Sequence, residues 1–96
     1  MTQIENGFYE VIEMAKQLEQ EGICSVSDCE DSSIERRFSI NWDIQTGEDF
    51  VKASALVHAI DEWAQFIDME NHYIIYSVKD GYTDKMLIIE VFCIWY

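Results

Sequence analysis

Basic residues are scarce in this chain. Six lysines and arginines stand against nineteen aspartates and glutamates, a formal charge of −13 over 96 residues. That shortage excludes an ordinary nucleic-acid binder, because gripping a phosphate backbone takes spaced lysines and arginines. The adjacent pair Arg36-Arg37 is flanked by Glu30, Asp31 and Glu35, which would neutralise it. Proline is absent, and the glycines (Gly7, Gly22, Gly47 and Gly81) are isolated, so there is no glycine-rich phosphate loop. No stretch approaches the roughly 20 apolar residues of a membrane span. The apolar C-terminal run is short and is broken by Glu90. The segment Met1-Thr2-Gln3-Ile4-Glu5 lacks the basic stretch and long apolar run of a secretory signal.

Cysteine and histidine are also few. Cys24, Cys29 and Cys93 are odd in number and, without a signal segment, read as reduced thiols of a cytoplasmic protein. A metal or redox protein using these three is the reading from another class. Against it, the Cys24/Cys29 spacing is at the edge of zinc-ligand patterns, and neither His58 nor His72 forms a second pair with Cys93. A small buried thiol is the expected role of Cys93. Neither histidine has a sequence neighbour that completes a catalytic triad. The run Asp28-Cys29-Glu30-Asp31 lacks the alternating ligands and mid-loop glycine of a calcium-binding loop. The expectation is a protein with no catalytic residues, no cofactor and no metal.

What is abundant is apolar: 49% of residues are hydrophobic and 14% aromatic, enough to build a core and argue against disorder. One domain spanning residues 1–96 is expected. Residues 3–21 read as an amphipathic helix, with Ile4, Phe8, Val11, Ile12, Ala15 and Leu18 on one face. Thr2 with Glu5 is a capping-box signature and Gly22 a natural stop. Ile23 to Cys29 reads as a short edge strand, and Asp28 to Ser33 as a polar turn. Phe38, Ile40, Trp42 and Ile44 alternate with polar residues as a half-buried strand does.

A second helix is predicted over about 49–67, its buried stripe running through Ala53, Leu56, Ile60, Trp63 and Ile67. A hairpin follows, from Tyr73–Lys79 through the turn Asp80–Asp84 to Met86–Trp95. Its last strand is apolar on both faces, so it either sits centrally or meets a partner. The predicted fold is α+β, in the order α-β-β-α-β-β, with two helices packed on one face of a four-stranded antiparallel sheet.

A net charge magnitude of about 2–8 suffices for solubility, so −13 requires a further cause. The expected cause is a basic protein partner, which an acidic surface attracts while repelling nucleic acid and anionic membranes. Carboxylates on a rigid scaffold meet arginine in the bidentate manner of phosphate, so such a scaffold can compete with DNA or RNA. The candidate protein-binding residues are Glu5, Glu10, Glu13 and Glu21 on the first helix, with Asp28, Glu30, Asp31, Glu35 and Asp43 beyond it. Trp42, Tyr73, Tyr76 and Tyr82 are candidate aromatic anchors. Phe92, Ile94 and Tyr96 form a candidate apolar interface, either for a homodimer or for the partner.

The size, the acidic first helix from Glu5 to Glu21, and the terminal hairpin from Tyr73-Ile74-Ile75-Tyr76 to Ile88-Ile89-Glu90-Val91-Phe92 resemble small acidic inhibitors of phages and archaeal viruses, the anti-CRISPR and anti-restriction proteins. The resemblance implies a non-catalytic inhibitor in the host cytoplasm that mimics nucleic acid and binds a CRISPR effector or restriction factor. Immunity proteins that neutralise a cognate nuclease toxin look similar at this level and form the alternative. No functional residue is carried over from either group.

Overall fold

The computed structural model describes residues 3–63, 65–70, 73–79 and 85–92, and side chains within 4–63 and 85–91. Its first helix, α1 (Gln3–Gln20), buries Phe8, Val11, Ile12 and Ala15 along one stripe, extended by Ile4 and Leu18. Gly22 ends it at a φ of 79°, where the Gly22 and Ile23 amides donate to the carbonyls of Glu19 and Leu18, each at 3.0 Å. This paired-bond ending needs a residue that takes the left-handed conformation without a Cβ penalty. Thr2 lies outside the described residues.

Strands β1 (Cys24–Asp31) and β2 (Glu35–Trp42) form an antiparallel hairpin. Ser32 closes it: its amide donates to the Glu35 carbonyl at 2.9 Å, and its Oγ accepts the Ile34 and Glu35 amides at 3.3 and 3.2 Å. The turn expected over Asp28–Ser33 is thus shorter, and strand runs on through Asp31 with a register shift between Asp28 and Glu30. Strand β2 likewise starts before Phe38. Arg36 and Arg37 hold these polar ends together through the carboxylates described below.

Helix α2 (Gly47–Trp63) starts at Thr46, whose Oγ1 accepts the Asp49 amide at 3.1 Å, a helix-capping bond. It buries Ala53, Leu56 and Ile60. It stops short of the expected residue 67, because Gln65–Glu70 is a strand, β3, which takes Ile67 out of the helical stripe. Strands β4 (Tyr73–Lys79) and β5 (Met86–Phe92) follow. The expected turn over 80–84 lies outside the described residues, as do Ile94, Tyr96 and the side chain of Phe92.

The structure is α+β, with two helices and a mixed sheet, and the expectation of four antiparallel strands is corrected. Among the described residues the sheet order is β1-β2-β5-β4-β3, with β2 and β5 parallel and the other neighbours antiparallel. The cause is the route of the chain. Helix α2 carries it from β2 to the far edge, so β3, β4 and β5 return inward and β5 docks beside β2 in the same direction. Parallel neighbours need such a crossover. Being apolar on both faces fits β5 for the central place. Its Leu87, Ile89 and Val91 join Phe38 and Ile40 of β2, Cys24 of β1 and the buried stripes of both helices in one core. At the alternate positions, facing away from the helices, Ile88 and Ser39 are also buried.

Candidate functional site

Four of the six basic residues, Arg36, Arg37, Lys52 and Lys85, are drawn into ion pairs with the chain's own carboxylates. The Arg36 guanidinium pairs with Asp28 through both terminal nitrogens, one of them at 2.9 Å, and donates to the Glu30 carbonyl at 3.0 Å. It lies over the Phe38 ring, 4.3 Å from the centroid. Asp31 approaches Arg36 at 3.9 Å and Lys85 at 3.4 Å. Arg37, on the opposite face of β2, bonds Glu35 at 2.8 Å and also pairs with Glu90 of β5. Lys52 of α2 pairs with Glu21 at 2.6 Å and with Glu48 at 3.6 Å. These contacts raise the pKa of both arginines and of Lys52, the bonds they donate to Asp28, Glu35 and Glu21 being the respective leading causes. They hold the Asp28 carboxyl below its ordinary value through the bond to Arg36.

The predicted acidic residues therefore divide. Asp28, Asp31, Glu35 and Glu21 serve internal ion pairs, and Asp43 accepts a bond from the Gln45 side chain at 2.6 Å. Glu5 is half-buried. Glu10, Glu13 and Glu30 are exposed, and no cation pairs with them among the described residues. Trp42 is packed partly against the core, and the side chains of Tyr73, Tyr76 and Tyr82 are outside the description.

Glu10 stands beside a feature that the periodicity did not announce. Where α1 passes α2, Gly7 faces Trp63 so closely that a Cβ there would lie 2.7 Å from Trp63 Cδ1. The indole N–H donates to the Ile4 carbonyl at 3.0 Å, and the ring packs on Phe8 with centroids 5.4 Å apart. An open groove of about 680 Å³ runs along this seam, with Val11 and Met14 of α1 facing Ala59 and Trp63 of α2. Glu10 and Glu62 line it from opposite helices. A second groove of about 600 Å³ continues over the outer side of α1, lined by Tyr9, Glu10, Glu13, Met14 and Gln17 among others. Met14 is an exposed apolar residue on an otherwise acidic helix face.

From the sequence, Trp63 reads as core and Glu62 as solvated surface. The signal of a seam was Gly7 itself, a glycine inside an amphipathic helix, which marks close approach of another element.

Of the three thiols, Cys24 and Cys29 are described, while Cys93, expected as a small buried thiol, lies outside the described residues. Cys24 is buried and donates to the Ala15 carbonyl at 3.4 Å. Burial, and then the charge of Glu19, pushes its pKa up to about 11, which keeps it protonated. Cys29 is exposed. His58 is exposed, with Nε2 3.5 Å from Glu62. Among the described residues no group of three or more His, Cys, Asp or Glu side chains is placed to hold a metal, and no helix is long and apolar enough to cross a membrane. No protein-family model, curated protein or solved structure matches this chain.

Proposed function

We propose that this chain is a non-catalytic inhibitor that binds a basic, nucleic-acid-handling protein, of the kind a phage directs against a host defence such as a CRISPR effector. The observation that carries the reading is the division of charge. Arg36, Arg37, Lys52 and Lys85 are drawn into internal pairs, whereas Glu10 and Glu62 stand outward on the groove between the helices and Glu13 on the one beside it. An acidic surface next to anchoring apolar groups matches a partner that presents lysines and arginines to nucleic acid. The long-range field speeds the encounter, and the groove supplies the desolvated contact that holds the complex.

The test begins with recovery of the target from a host lysate and its identification by mass spectrometry. Stopped-flow association with that target should slow by about tenfold or more from low to high salt, as a steered encounter does. Fluorescence anisotropy should show this protein displacing DNA or RNA from the target. A salt-independent rate would remove the electrostatic basis. A ternary complex with unchanged nucleic-acid affinity would rule out mimicry. Light scattering during the same preparation reads the assembly: a mass near 11.3 kDa excludes a homodimer and leaves the apolar face of Phe92, Ile94 and Tyr96 to the partner.

A further inference from the structure

We propose that the groove between α1 and α2 is the seat for an arginine side chain of the basic partner, with the guanidinium against Trp63 and between Glu10 and Glu62. The inference rests on the reading above and assigns its contact point. Three observations carry it. First, the groove is anionic and apolar at once: Glu10 and Glu62 line it together with Val11, Met14, Ala59 and Trp63. Among the described residues no cation lines it. A planar, weakly hydrated cation fits such a place better than the compact ammonium of lysine, because it stacks on aromatic surface and pairs with carboxylates through a fork of N–H donors.

Second, the seat is built in advance. Trp63 is fixed by its bond to the Ile4 carbonyl and by contact with Gly7 and Phe8, so little side-chain freedom remains to be lost on binding. The groove, at about 680 Å³, lies within the roughly 300–1,000 Å³ typical of pockets that enclose a small ligand.

Third, the chain already holds one guanidinium with the same kinds of group. Arg36 lies over the Phe38 ring and is gripped by the Asp28 carboxylate, with only 12% of its side chain exposed. That internal site is filled. The groove offers an aromatic ring and two carboxylates: Glu62 has the exposed His58 Nε2 at 3.5 Å, and among the described residues no cation pairs with Glu10.

The experiment uses the full chain, labelled with nitrogen-15, and two probes: capped hexa-arginine and capped hexa-lysine. The Trp63 indole resonance is assigned by its loss in Trp63→Phe. Hexa-arginine should shift that indole and the Gly7 amide, and hexa-lysine should do so several-fold more weakly. The double variant Glu10→Gln/Glu62→Gln should weaken hexa-arginine binding roughly tenfold, the scale of losing charge-assisted bonds. Glu48→Gln/Asp61→Asn removes the same charge away from the groove and from the candidate binding acids, and should change affinity only about twofold, as exposed charges do. All four carboxylates are exposed, so unchanged distant resonances verify that each variant is folded.

Shifts confined to the β1–β2 hairpin, equal losses in both double variants, or no shifts up to millimolar peptide would overturn the arginine seat. None of these results touches the salt and competition tests on the target, which judge the inhibitor reading separately.

Discussion

Gly7 and Trp63 are in contact across the two helices, with room for a hydrogen but not for a methyl group: a Cβ on Gly7 would stand 2.7 Å from Cδ1 and 3.2 Å from Nε1. In an exposed helix interior, glycine to alanine stabilises by about 0.5–1 kcal/mol. Here the indole cannot retreat without leaving the Ile4 carbonyl and the Phe8 ring. Gly7→Ala should therefore destabilise, by about 1–3 kcal/mol, the usual cost of overpacking. Urea denaturation followed by tryptophan fluorescence measures it, and a more stable variant would show that the seam is loose.

Gly22 makes the opposite kind of demand. Nothing lies within 4 Å of a Cβ placed there, but its φ is +79°. Gly22→Ala should cost about 1–2 kcal/mol from the left-handed conformation alone. Gly22→Asn should cost less, since asparagine tolerates that region. Equal stability of all three proteins would mean that the helix ending relaxes.

Glu19 guards the free edge of the sheet. Among the described residues, strand β1 has β2 on one side only, and on the other the Val26 amide donates to Glu19 Oε2 at 2.7 Å. Edge amides left bare are templates for pairing with another chain. Glu19→Ala should cost about 0.5–1.5 kcal/mol, the worth of one hydrogen bond, and should raise the tendency to self-associate. Faster hydrogen exchange at the Val26 amide, with a higher mass in concentrated solution, is the expected signature. An unchanged Val26 exchange rate would deny Glu19 this role.

The elements that periodicity governs were legible in the sequence. The stripe from Phe8 to Ala15 placed α1, Gly22 ended it, and the alternation at Phe38 and Ile40 placed the inner part of β2. The two-faced apolarity of β5 allowed either a central strand or a partner-facing one, and β5 lies between β2 and β4. The sheet's parallel pair was not legible, because it depends on where α2 delivers the chain, and no local pattern encodes that. Ile67 misled for a related reason: it continues the helical spacing of α2, yet pairing of β3 with β4 claims that segment. At the candidate site, net charge pointed to acids in general. Only packing separates Asp28 and Glu35, which hold arginines, from Glu10 and Glu13, which face outward.

The two described thiols should differ sharply in reactivity. Cys29 is exposed, whereas Cys24 is buried against the Ala15 carbonyl with a pKa pushed up to about 11. In a Cys93→Ser background at pH 8, an aromatic disulfide reagent should label Cys29 at once. Cys24 should react at least about 100-fold more slowly, at the rate of local opening. The raised pKa also has a stability consequence. Its contribution is fully present below 9.0, the ordinary value, and is lost as pH rises through about 11. Two equally fast thiols would show that Cys24 is not sealed.

Asp28 sets a dependence at the other end of the pH scale. Its carboxyl is held below the ordinary 3.8, chiefly by the bond from Arg36, so the folded state favours the charged form. A depressed pKa stabilises above the unfolded value and ceases to do so as pH falls through the folded one. The whole protein complicates a direct reading, because acid also discharges a −13 surface and relieves self-repulsion. The difference between the wild type and Asp28→Asn isolates the pair, since both proteins share nearly the same background charge. At pH 7 the variant should be the less stable, because Arg36 keeps Asp31 at 3.9 Å but loses its two-point partner. As pH falls below 3.8, the unfolded chain takes up the Asp28 proton before the folded protein does, so the gap between the two unfolding midpoints should narrow. Midpoints measured in urea from pH 7 to pH 3 test this. A gap as wide at pH 3 as at pH 7 would mean that the substitution acts through packing or strand register, and the ion pair with Arg36 would lose its claim to hold the polar end of the hairpin.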